Sequence, residues 1–146
     1  MFSDLMKTLF APEPRDMAPD DARVALAALL VRVARADGEY APEEVQRIDR
    51  ILAERHGLSP FEAAKLRAEA EAVEAEAPDT VRFTRVLKEA VPHDERAAVI
   101  EALWAVALSD GARDHEEDAL LRLVAPMLGI NDRDSALARQ RVLERG

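Results

Sequence analysis

Apolar residues return every three to four positions along most of the chain, and the breaks fall at proline, glycine and Asp-Gly steps. Phe2, Leu5, Met6 and Leu9, with Phe10 beside them, predict a short amphipathic helix from Ser3 to Phe10. Pro12 and Pro14 close it, because proline cannot continue a helix. Leu26, Leu29, Leu30 and Val33 predict a helix from about Pro19 to Ala36, with Asp20 and Asp21 suiting its dipole and Gly38 ending it. Val45, Ile48, Ile51 and Leu52 predict the next, from Pro42 to Gly57. Ser59, followed three residues on by Glu62, reads as a capping box. It opens a helix with Ala63, Ala64, Leu66, Ala70 and Val73, the weakest apolar stripe of the set, interrupted at Pro78. Asp79 is expected to cap a helix carrying Val81, Phe83, Val86, Leu87 and Val91, which Pro92 ends. Val99, Ile100, Leu103, Trp104, Val106 and Ala107 predict a helix from about His93 to Leu108, with Gly111 beyond it. Trp104 lies on its inner face and reads as core. Leu120, Leu121, Leu123 and Val124 predict a helix from about His115 to Gly129, and a last one follows Asn131-Asp132.

This pattern predicts an all-α fold, a compact bundle of about seven to eight helices. It also repeats. ALAALLVRVARADGEYAPEEVQRIDRILAERHGLSP, about residues 25–60, aligns with AVIEALWAVALSDGARDHEEDALLRLVAPMLGIND, about 98–132. Asp37-Gly38 meets Asp110-Gly111, and Glu43-Glu44 meets Glu116-Glu117. After a one-residue slip, Gly57-Leu58 meets Gly129-Ile130. Matched blocks in register argue for an internal duplication with approximate two-fold symmetry. Residues 1–18 then form an N-terminal helix and proline-containing linker, and 19–146 the helical domain.

Composition narrows the function. The 29 acidic and 20 basic side chains give a net charge of −9, with arginine and lysine scattered among acids. Such a surface repels nucleic acid. Cysteine is absent, which excludes disulfides, thiolate metal sites and a nucleophilic thiol. No apolar run reaches membrane-spanning length, and the N-terminus lacks a secretory signal pattern, so a cytoplasmic location is expected. His56, His93 and His115 lie far apart at helix boundaries. There is no glycine-rich phosphate loop, no His-x3-His pair and no nucleophile elbow, so no catalysis is expected.

The two Asp-Gly corners carry the candidate chemistry. Each reads Asp-Gly-x5-Glu, with Asp37 seven residues before Glu44 and Asp110 seven before Glu117; Asp114 stands within the second. Hard cations such as calcium, magnesium or manganese take several carboxylate or carbonyl oxygens, and a tight glycine turn helps gather them. The spacing matches the latter half of an EF-hand loop. The front half fails, because Val33 and Arg35, or Val106 and Leu108, stand where the first acidic ligands belong. A second reading needs no ligand: a carboxylate here can accept from the free N–H groups opening the next helix, and Asp114 with Glu117 is itself a capping pattern. Both readings use the same residues.

The blocks Val33-Ala34-Arg35-Ala36-Asp37-Gly38 with Glu43-Glu44, and Ala107-Leu108-Ser109-Asp110-Gly111 with Glu116-Glu117, resemble the TerB-like family linked to tellurite resistance. The likeness spans roughly Asp20 to Leu143. It implies an all-helical domain in bacterial stress response, near a membrane protein complex at the inner membrane, without established enzymatic activity. It further implies metal-binding acids, which carry over to Asp37, Glu44, Asp110 and Glu117. The second loop is the richer, since Ala41 stands where it has Asp114. The expected function is thus a non-enzymatic module with a protein partner, binding a divalent cation at these loops. The alternative is a pure interaction or scaffold domain whose acids only cap helices.

Overall fold

The structure, a computed structural model, describes residues 19–36, 38–76, 80–109 and 115–145. The described residues form seven helices and no strand. They are α1 (Pro19–Arg35), α2 (Pro42–His56), α3 (Pro60–Glu76), α4 (Thr80–Ala90), α5 (Arg96–Ala107), α6 (His115–Met127) and α7 (Asp132–Arg145). A single 3-10 turn, His93–Glu95, precedes α5. The expected N-terminal helix and the Asp79 cap lie outside the described residues.

Helix α1 is the axis of the core. Every residue from Val24 to Val31 is buried, and Val33 and Ala34 follow. A helix apolar around its whole circumference belongs inside. Accordingly α2, α3, α4, α5 and α6 all pack on it. Phe83, Val86 and Leu87 of α4, and Ile100 and Leu103 of α5, fill the space between.

The duplication extends one helix further than the matched sequence blocks. In the first unit α3 lies across α1, and in the second α7 lies across α5. The junctions are chemically alike. Gly57 (φ 63°) and Gly129 (φ 77°) end α2 and α6 in the left-handed region. Leu58 N–H then donates to the Ala53 carbonyl at 3.0 Å, and Ile130 N–H to that of Ala125 at 2.9 Å, closing both helix ends in the same way. Ser59 Oγ accepts from Glu62 N–H at 3.1 Å, and Asn131 Oδ1 from Asp134 N–H at 2.8 Å, opening α3 and α7. Glu62 completes its box by accepting from Ser59 N–H at 3.0 Å. Donation to the carboxylate from the Ser59 N–H first, and from the Ser59 hydroxyl second, holds its carboxyl below the usual range. Helix α3 therefore follows α2 as α7 follows α6, and α4 is the connecting helix between the two units, packing on α1 and α6.

The two glycines differ in their surroundings. A Cβ on Gly57 would meet nothing within 4 Å, whereas one on Gly129 would lie 3.3 Å from Arg96 Nη1. Arg96 sits there because its guanidinium donates to the Lys88, Val91 and Leu128 carbonyls (2.8, 3.1 and 3.5 Å). Gly57→Ala should cost about 1–2 kcal/mol, the penalty of a Cβ in left-handed backbone. Gly129→Ala should cost more, because Arg96 must also give way. Urea unfolding of both variants checks this, and equal losses would mean that Arg96 yields freely.

Candidate functional site

The first acidic corner begins where α1 runs out. Ala36 N–H donates to the Val33 carbonyl at 3.2 Å and Gly38 N–H to the Arg35 carbonyl at 3.0 Å. Gly38 takes φ 83°, a value only glycine adopts without strain, and the chain turns towards α2. Ala41 occupies the N-cap in extended conformation (φ −71°, ψ 149°) but has no side-chain oxygen to give. Glu44, one turn inside α2, makes the reciprocal half of a capping box: its Oε1 accepts from Ala41 N–H at 3.2 Å. The Glu44 side chain is only 1% exposed. A carboxylate thus lies buried at the corner, with one oxygen facing the helix entrance. Asp37 lies outside the described residues.

The wall beside this corner is an arginine–carboxylate lattice. Glu74 of α3 accepts from Arg35 Nη1 at 2.8 Å and from Arg32 Nε at 3.1 Å. Arg32 also donates to the Glu74 carbonyl at 3.2 Å and to Thr80 Oγ1 at 3.3 Å. Its guanidinium lies 5.1 Å from the centre of the Phe83 ring, and that of Arg35 lies 5.0 Å from Tyr40, both within cation–π range. Arg67 joins Asp49 at 2.5 Å and Glu71 at 3.1 Å. The Tyr40 hydroxyl is buried without a partner in good hydrogen-bonding geometry. Burial first, and the neighbouring Glu71 carboxylate second, push its phenol above the ordinary range. Carboxylates of α3 near this corner are therefore already matched by guanidinium groups.

The second corner begins as α5 ends. Leu108 N–H donates to the Trp104 carbonyl at 2.9 Å, and Ser109 Oγ donates to the Val106 carbonyl at 2.7 Å. Asp110 and Asp114 lie outside the described residues. Glu117 enters through its backbone, in the first turn of α6. Among the described residues, no three His, Asp or Glu side chains converge as a metal site.

The family model described as tellurite resistance protein TerB matches residues 23–140. The chain belongs to the TerB family. The match takes in both acidic corners and all seven helices in whole or part. No curated protein and no solved structure matches the chain. No helix among the described residues of this TerB-family chain is long and apolar enough to cross a membrane.

Sequence reasoning missed the lattice. Its signal was faint: Arg32 interrupts the apolar run of α1, and Glu71 and Glu74 share a face of α3 at i, i+3. Nothing in that spacing pairs Arg32 with a glutamate 42 residues away.

Proposed function

We propose that this TerB-family chain is a non-catalytic module of the tellurite-associated stress response whose second acidic corner binds a divalent cation. Asp110, Asp114 and Glu117 supply the oxygens, and calcium, magnesium and manganese are the candidate ions. The observation that carries the reading is Glu44. At the first corner a helix glutamate accepts from Ala41 N–H, as Glu62 does from Ser59 N–H, and Ala41 adds no oxygen of its own to the corner. At the matching place the second corner has Asp114, one more carboxylate than the first corner offers a cation beside Asp110 and Glu117. Asp37 and Glu44 form the weaker site. The module acts through a protein partner in a membrane-associated complex, from the cytoplasmic side of the inner membrane.

The alternative, in which the acids only cap helices, is favoured by the same contact at the first corner. Thermal melts separate the two. A cation at a hundred times its Kd adds about 2.7 kcal/mol, or roughly 5–10 °C for a domain of this size. Calcium, magnesium or manganese should raise the melting temperature by that order, and Asp110→Ala should abolish the rise. Glu44→Gln should lower the melting temperature while keeping it. A melting temperature indifferent to all three ions would leave the capping reading in place.

A further inference from the structure

Acids outnumber bases 29 to 20, so an arginine of this chain has carboxylates at hand. Arg32, Arg35, Arg67 and Arg141 all take one. Arg47, Arg50 and Arg55 of α2 do not: among the described residues they form no ion pair. They line a groove of about 580 Å³ between α2 and α5, with Arg145 from the end of α7. The groove holds two acids, Glu54 and Glu101, and Arg141 and Arg145 both bind Glu101, at 3.4 and 3.3 Å. Its apolar lining is Ile51 with Ala98, Ala102 and Ala105 of α5. Arg47 and Arg50 are three apart on one helix, so like charges stand as neighbours on the groove wall. Arg55 carries the positive charge on to the last turn of α2. Burial first, then Arg23 and Arg55, lower the His56 pKa to about 4.

We propose that this α2–α5 groove is a docking site for an acidic amphipathic helix of a partner protein. Charge complementarity selects the partner. Arg47 to Arg55 span about 12 Å of helix at 1.5 Å per residue, a reach that glutamates on successive turns of a facing helix can match. The alanines allow a helix to approach closely and receive its apolar edge. Other anions fit less well. A polyphosphate chain, charged along its whole length, has no apolar edge to set against Ile51 and the alanines. A flat bilayer cannot reach the floor of a groove. A small anion would engage one or two arginines and leave the apolar floor uncovered. The proposal concerns a surface apart from the acidic corners and does not depend on cation binding there.

The test is fluorescence anisotropy with a labelled synthetic helix of about 16 residues, long enough to hold its conformation. It carries glutamates at i, i+4, i+7 and i+11 with leucine and alanine beside them. It should bind the full chain saturably and more weakly as salt rises. The double variant Arg47→Glu, Arg50→Glu should weaken binding by about tenfold or more. Ala102→Phe, which fills the floor without altering charge, should weaken it as well. All variants should keep the wild-type circular dichroism melt. A version with lysine for each glutamate should not bind. Absent saturable binding, or binding that survives the double variant, overturns the proposal. So does displacement by millimolar inorganic phosphate at constant ionic strength, which would mark a small-anion site. Binding to phosphatidylserine vesicles that the double variant abolishes, with no binding of the peptide, would overturn it in favour of a membrane surface.

Discussion

Trp104→Ala should remove about 3–5 kcal/mol of stability, the range for deleting a large aromatic from a packed core. Trp104 is 5% exposed and lies on α5 where α7 crosses it. Its indole N–H donates to Ser135 Oγ at 3.1 Å, and the Arg139 guanidinium lies 5.6 Å from its ring. Truncation therefore opens a cavity and removes the partner of a buried hydroxyl. Two further substitutions separate these costs. Trp104→Phe keeps most of the bulk and should cost about 1–3 kcal/mol, part of it from the unpaired Ser135 hydroxyl. Ser135→Ala leaves the indole N–H without its acceptor and should cost a similar amount. Urea unfolding followed by far-ultraviolet circular dichroism measures all three. A Trp104→Ala loss below that of Ser135→Ala would mean that α7 collapses into the space. The first unit needs no such bond: the matching positions hold Val31 and Ala63, both buried and apolar.

Glu74→Ala should be nearly as damaging, at about 2–4 kcal/mol. Removing one member of a buried ion pair costs about 3–5 kcal/mol, because the surviving charge stays desolvated. Partial exposure lowers that figure: Glu74 is 12% exposed, Arg32 17% and Arg35 36%. Arg32 suffers most, since it stays packed against the Phe83 ring. Glu74→Gln, which retains an acceptor, should recover part of the loss. Glu69→Ala, at an exposed position of the same helix, should change stability by no more than about half a kcal/mol. Losses of equal size at Glu74 and Glu69 would show that the lattice is no more than surface pairing.

The helices were legible because their punctuation is chemical. Gly57, Ser59, Gly129 and Asn131 stop and start helices through backbone groups that any reading of caps looks for. Packing partners were harder. Helix α3 has the weakest apolar stripe, yet Ala63, Ala70 and Val73 are fully buried against an axis helix that asks only for small residues. Conversely Val81 and Leu123 fit their stripes by spacing but are 43% and 52% exposed. Periodicity gives a face, and the width of the covering neighbour decides how much of it is buried. The candidate site was legible only in location. Glu44 shows why: a carboxylate at a helix entrance looks the same in sequence whether an N–H group or a cation sits opposite. The arginine lattice and the α2–α5 groove depend on pairings between distant helices, which no local pattern carries.

The burial of α1 on all sides bears on how the molecule can come apart. Two copies of one unit, if independent, would fold separately and melt in steps. Yet the first unit, cut free after α3, would present to water the faces of α1 that α4 and α5 now cover. The second, without α1, would lose the apolar wall behind α5. Each half holds part of the other's interior. Duplication thus gave this chain a repeated plan without giving it independent parts, and its unfolding should be a single cooperative event.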